Sequence, residues 1–228
     1  MSSTGRGAAY LPLAAYLTPQ RVADGLVRLL SRELSTPQVV LEPSVGGGAF
    51  LHAVSDETKA INWRVREGYT RAGHPPAPSV EHRYMAIDVD PNATGFAVVR
   101  SLHGSVQVGD FLRTTPPLTP TLIVGNPPFS LPTKGGKPQP AAELHVKRAM
   151  AMLPPGGHLA FLLRLAMLEG VERRKTLWMH HRPKRVYVLD RRPSFTGTGS
   201  DSAAYGFFVW QKDYAGPTNL EVVDWSAS

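Results

Sequence analysis

A chain of 228 residues is long enough for one full α/β domain and too short for two of ordinary size. It is 42% hydrophobic and so can build a core, while the absence of cysteine excludes disulfides and thiolate metal sites. The 25 Lys and Arg against 18 Asp and Glu give a net charge of +7, which favours a polyanionic partner, because basic side chains displace the counterions condensed on phosphates. No apolar run approaches the roughly 20 residues that cross a bilayer. Met1 to Gly7 is small and polar without an apolar signal core, so the default expectation is a cytoplasmic protein with no membrane contact. No metal is expected.

In chain order, Pro19 to Arg32 carries Val22, Leu26, Leu29 and Leu30 at helical spacing and predicts an opening helix. Gln38 to Leu41 is a short β-branched run ending at Glu42-Pro43, a first strand, and Gly48 to Val54 begins the helix after it. Glu57 to Val80, polar and then Pro-rich, reads as an irregular excursion. Arg83 to Ile87, Ser105 to Val108 and Thr121 to Gly125 read as the next strands. Ala141 to Leu153 is an amphipathic helix stopped by Pro154-Pro155-Gly156-Gly157. His158 to Leu163, Arg185 to Leu189 and the aromatic-rich Tyr205 to Trp210 complete the strands, with Asp213 onward an edge or a tail. The alternation predicts a mostly parallel sheet with helices on both faces. There is no internal repeat.

Leu41-Glu42-Pro43-Ser44-Val45-Gly46-Gly47-Gly48-Ala49-Phe50 falls at a strand-to-helix junction. Glycines there permit positive φ and close approach of the backbone to a ligand, although the third glycine of a dinucleotide fingerprint is replaced by Leu51. Alone, the triplet reads as a tight turn. The case changes because acids recur at strand ends: Glu42, then Asp88 and Asp90 in Asp88-Val89-Asp90-Pro91, then Asp110 before Phe111. Ligands of doubly wound sheets bind at those carboxyl ends. One such carboxylate can accept both ribose hydroxyls, and another can accept from an adenine amino group with Phe111 packed on the ring. Each acid alone reads as a helix cap or a surface residue. The ordered set points to a ligand.

Leu122-Ile123-Val124-Gly125-Asn126-Pro127-Pro128-Phe129 is the most informative stretch. An apolar strand runs into Asn and two prolines, which lock φ and withhold two backbone donors. The turn therefore presents acceptors: the Asn126 side-chain carbonyl and the Pro127 backbone carbonyl. Two acceptors on the two hydrogens of a ring amino group turn its lone pair out of conjugation. Phe129 stacks on the ring, which is catalysis by positioning. The competing reading is a Pro-rich turn with a capping Asn.

These motifs resemble, in order, those of the gamma-type class I amino-methyltransferases, the group that contains many DNA adenine-N6 methyltransferases. The matching segments are Tyr16-Leu17-Thr18-Pro19, Glu42 to Phe50, Asp88 to Pro91, Gly109-Asp110-Phe111 and Asn126 to Phe129. The resemblance implies a Rossmann-like fold with a seven-stranded, mostly parallel sheet carrying one antiparallel strand, and S-adenosyl-L-methionine as cofactor. It implies Tyr16 and Thr18 by the methionine end, Gly46 and Gly48 beneath the cofactor, and Glu42 near the methionine amino group. It further implies Asp88 on the ribose with Val89 beside it, Asp110 and Phe111 at the adenine, and Asn126 bridging cofactor and target.

An adenine inside a duplex hides its amino group in the stack, so an enzyme must flip it out or take single strands. Phe195, in the glycine-rich Arg191 to Ser200 segment, matches the family position that contacts the flipped base. A core anchor is its other reading. Lys134 and Lys137, in the basic loop after the Asn-Pro-Pro-Phe turn, are expected on the substrate. Arg164, Arg173, Arg174, Lys175, Arg182, Lys184, Arg185, Arg191 and Arg192 cluster toward the same end of the chain and are expected to open on the substrate face, some of them simply as solvated helix faces. Residues 1–228 are read as a single catalytic domain without a separate target-recognition domain, which leaves little with which to read a long sequence. DNA is the expected substrate by family analogy. RNA adenine methylation and methylation of a protein glutamine amide share the catalytic turn and are the alternatives.

Overall fold

The computed structural model describes residues 17–75, 77–129, 140–195 and 201–226. Its strands are β1 (Val39–Pro43), β2 (Arg83–Asp88), β3 (Ser105–Val108), β4 (Leu122–Gly125), β5 (His158–Arg164), β6 (Arg185–Leu189), β7 (Tyr205–Gln211) and β8 (Asn219–Val223). They form one sheet in the order β3-β2-β1-β4-β5-β7-β6-β8. β7 runs antiparallel to both neighbours and the other pairings are parallel, so the reversed strand is as expected. The sheet has eight strands rather than seven among the described residues, because Asn219–Val223 adds an edge beside β6.

Central strands read as unbroken apolar runs because helices cover both faces. In β5, five consecutive residues, Leu159 to Leu163, are buried. On one face, Val22, Leu26, Phe50, Val54, Phe96 and Val99 pack over Val40, Val124, Leu162 and Phe207. They come from helices α1 (Gln20–Arg28), α3 (Ala49–Arg71) and α4 (Gly95–Ser101), with α2 (Ser31–Leu34) between the first two. On the other face, Val146, Ala149 and Met150 of α5 (Ala141–Met152) pack with Leu177 over Leu41, Ile123 and Phe161.

The excursion expected from Glu57 onward is instead helical as far as Arg71, within the 23 residues of α3. Its first part buries Leu51, Val54, Glu57, Thr58 and Ile61 at helical spacing. Beyond Ile61 it runs into solvent, with Trp63 62% and Tyr69 44% exposed. The polar composition belongs to a solvated helix. Asn62 fastens the return, donating to the Val80 carbonyl at 3.0 Å and accepting from its N–H at 2.8 Å. The opening helix is also broken, into α1 and α2.

β1 lies between β2 on one side and β4 on the other, so the chain reverses its direction of travel across the sheet there. Ligands of open α/β sheets bind at that switch point, outside the carboxyl ends of the strands. The Glu42 to Gly48 turn leaves β1 there, and Asn126 leaves β4.

Candidate active site

The turn after β1 is built by hydrogen bonds to β2. The Ser44 and Val45 N–H groups both donate to the Ile87 carbonyl, at 2.8 and 3.1 Å. Ser44 has a φ of 67°, a left-handed conformation uncommon outside glycine. Gly46 (φ 47°) donates its N–H to Asp88 Oδ2 at 2.8 Å. Gly48 (φ 77°) is the N-cap of α3. A Cβ on Gly48 would lie 2.9 Å from the Gly95 Cα, and Gly95 donates its N–H to the Gly46 carbonyl at 2.8 Å. Gly48 is thus required for the approach of α4, a reason the sequence did not disclose.

Glu42 is 3% exposed and accepts from the Leu51 N–H at 3.2 Å. Burial pushes its carboxyl well above the ordinary glutamate value; the Leu51 N–H opposes the shift, while the Asp88 charge adds to it. A buried carboxylate of this kind calls for a cationic partner. Asp88 accepts from Gly46 through one oxygen and from the Asp90 N–H through the other, at 2.9 Å. Asp110 accepts from the Leu112 N–H at 2.9 Å and is 42% exposed on its side chain. Both carboxylates therefore hold turns while keeping lone pairs to spare, since an ionised carboxylate has about four acceptor sites. Val89 is 49% exposed at the end of β2. Phe111 is placed differently from the expected open stacking surface. It is 2% exposed and its ring stacks on His145, 5.3 Å between centroids. His145, which the sequence did not single out, is buried in α5 with Nδ1 2.8 Å from the Ala141 carbonyl. Burial holds its pKa below the ordinary histidine value.

Asn126 donates from Nδ2 to Thr18 Oγ1 at 3.1 Å. Its other end, Oδ1, is buried and has no hydrogen-bond partner among the described residues. An orphaned buried acceptor in a native fold needs an explanation. The two prolines that follow offer it no backbone donor. Tyr16, Lys134 and Lys137 lie outside the described residues.

Beyond Asn126, Phe129 and Phe195 pack on one ring, that of Tyr205, at 5.8 and 5.2 Å between centroids. Tyr205 is 1% exposed. The Arg164 guanidinium lies over Phe129, 4.7 Å from its centroid. Sequence reasoning counted Arg164 only as one basic residue among many and missed Tyr205.

The other basic residues do not all gather here. Lys184 and Arg185 stand at the amino end of β6, the end of the parallel strands opposite the switch point, where Arg185 pairs with Glu33 at 3.5 Å and Lys184 donates to Gln211 at 2.7 Å. Arg173 turns inward and donates to the carbonyls of Ala166, Met167 and Glu169. Arg191 follows β6 at its carboxyl end, paired with Asp190 and Asp224 at 3.1 and 3.6 Å. Strand polarity, which composition does not reveal, separates these groups.

No protein-family model matches the sequence, and no curated protein matches it. Solved structures do match in shape. A Listeria monocytogenes protein assigned to the class I S-adenosylmethionine-dependent methyltransferases superposes with a TM-score of 0.66 at 15% identity, over 97% of this chain and 68% of that one. The M protein of the type I restriction enzyme EcoKI superposes with a TM-score of 0.64 at 16% identity, over 88% of this chain. This chain spans 44% of that protein's length. The N-methyltransferase NodS of Bradyrhizobium japonicum, in complex with S-adenosyl-l-homocysteine, gives 0.55 at 17% identity over 91% of this chain and 94% of its own. At these identities the likeness establishes the fold, that of the Rossmann-like class I methyltransferases.

Proposed function

We propose that this chain is an S-adenosylmethionine-dependent methyltransferase acting on the N6 amino group of adenine in DNA. The observation that carries the reading is the Asn126 side-chain oxygen at the switch point, buried and without a hydrogen-bond partner among the described residues, with the amide nitrogen bonded to Thr18. That is the acceptor a ring amino group requires. The partners of the fold neighbours support the rest. One is the M protein of a restriction enzyme, and another binds S-adenosyl-l-homocysteine, the demethylated form of the cofactor.

The residues present fit that cofactor. Glu42 supplies a buried carboxylate for a cationic amino group, Asp88 and Asp110 supply acceptors for hydroxyl and amino donors, and Gly46 keeps the turn free of side chains. Thr18, Val89 and, by resemblance, Tyr16 complete the set. When bound, S-adenosylmethionine supplies an electrophilic methyl group. The chain's own contribution is to orient the acceptor nitrogen. Asn126 Oδ1 and the Pro127 carbonyl accept its two hydrogens, which frees the lone pair from the ring. Pro127 and Pro128 hold those acceptors rigid, and Phe129 aligns the ring. Preorganised acceptors aimed at a developing charge act mainly in the transition state. The amino proton becomes acidic as the nitrogen gains its methyl, so no strong base is needed.

Phe195 is proposed to contact the flipped base, and Lys134 and Lys137 the phosphates. The net charge of +7 favours nucleic acid over a protein amide. The test is incubation with methyl-labelled S-adenosylmethionine and separate DNA, RNA and protein acceptors. Label in DNA is expected. Label confined to RNA or protein would overturn the substrate, and no label in any acceptor would overturn the activity.

A further inference from the structure

Arg164 ends β5 and Tyr205 begins β7, and the antiparallel register pairs them directly. The Arg164 Nε donates to the Tyr205 hydroxyl at 3.4 Å, and that hydroxyl donates to Asp201 Oδ2 at 2.8 Å. Asp201 is itself fixed: its other oxygen accepts from the Ala203 N–H at 3.1 Å, and its own N–H donates to the Pro193 carbonyl at 3.3 Å. Burial would raise the Asp201 carboxyl, but the Ala203 N–H, the Tyr205 hydroxyl and the Arg164 charge hold it below the ordinary aspartate value. Burial raises the Tyr205 phenol, so it remains a donor at neutral pH. The guanidinium end of this chain rests on Phe129, and the Tyr205 ring touches both Phe129 and Phe195. Phe129 follows β4 and Phe195 follows β6, so two loops far apart in sequence are indexed on one side-chain assembly.

We infer that Arg164, Tyr205 and Asp201 form a charged positioning network that sets the Phe129 ring relative to Asn126 and locks it in register with Phe195. A cation over an aromatic face is attracted by the ring quadrupole, more strongly as water is excluded. Asp201 acts at one remove, by holding the tyrosine hydroxyl and the charge that face Arg164. None of the three takes a proton from the substrate. They are positioning residues, and the inference rests on the adenine reading above only for the identity of the substrate.

The variants that test it are Arg164→Gln, Asp201→Asn, the two combined, and Arg164→Lys. With 4-fluorophenylalanine at position 129, the fluorine resonance should move in Asp201→Asn in the same direction as in Arg164→Gln, and stay near wild type in Arg164→Lys. This readout needs no substrate. In single-turnover transfer to an adenine-containing oligonucleotide, Arg164→Gln and Asp201→Asn should each slow transfer about tenfold to a hundredfold, the scale of a misplaced reacting group. Cofactor affinity should not change. The double variant should be no slower than the slower single, because both act through one network. Arg164→Lys should recover most of the rate. A resonance unmoved by Asp201→Asn, or rate losses that multiply in the double variant, would overturn the network. If the wild-type enzyme transfers nothing to adenine, the substrate reading fails, and the fluorine resonance still decides the positioning.

Discussion

The Asn126 amide donates to Thr18 Oγ1 across 108 residues of chain, at 3.1 Å, with its oxygen on the side away from that hydroxyl at the switch point. The oxygen left there is buried without a partner among the described residues. Replacing Asn126 by Ala removes that acceptor, and the turn, held by its prolines and the end of β4, remains. Turnover is expected to fall by about 10² or more, the scale of losing one preorganised transition-state contact, with little change in melting temperature. Single-turnover rates within a few fold of wild type would remove Asn126 from the mechanism.

Thr18→Val keeps the shape and removes the hydroxyl. The amide can then rotate between its two orientations, which should lower the rate up to roughly tenfold, the worth of one ordinary hydrogen bond. Comparing Thr18→Val in the Asn126→Ala background checks this, since no further loss is expected once the amide is gone.

Asp88→Ala removes an acceptor from the proposed ribose site and the partner of two backbone N–H groups, those of Gly46 and Asp90. Cofactor affinity is expected to weaken by about 1.5–3 kcal/mol, the range for a hydrogen bond to a charged group. A lower melting temperature should accompany it, because the β1 turn loses its anchor. Calorimetry on the folded variant separates the two effects. Unchanged affinity would leave Asp88 with the structural role alone.

Glu42 gives a pH dependence whose sign is set by burial. Its folded pKa lies well above 4.5, so the folded form holds a proton more tightly than the unfolded chain. Its contribution to stability is therefore fully present in acid and is lost as pH rises from about that value through the raised one. Glu42→Gln should raise the melting temperature relative to wild type, by more at about pH 8 than at about pH 5, while weakening S-adenosylmethionine binding. A variant less stable than wild type at alkaline pH would contradict this origin of the shift.

The central strands were legible because burial on both faces makes them continuous apolar runs, and the order of acids at strand ends pointed to the carboxyl edge where the site lies. Gly48 was legible as a glycine but not for its reason. The need for it comes from Gly95, 47 positions later, and from a φ of +77°. Phe111 follows its acid in the sequence, yet its ring lies against His145 in the core. Sequence adjacency fixes where a backbone goes and leaves the rotamer to packing. Arg164 and Tyr205 were illegible as a pair, since only the antiparallel register of β5 and β7 brings them together. The Glu57 to Arg71 helix was misread because solvated helices and loops share a composition.

The measurement that bears most directly on the proposed activity is identification of the methylated nucleoside. DNA of mixed sequence is incubated with the protein and S-adenosylmethionine, digested to nucleosides, and analysed by mass spectrometry beside an Asn126→Ala control. N6-methyl-2′-deoxyadenosine is expected from the wild type, with yields that fall steeply as salt is raised because phosphate contacts supply most of the affinity, and almost none from the control. Methyl groups on cytosine, on RNA alone or on protein, or equal yields from wild type and Asn126→Ala, would contradict it.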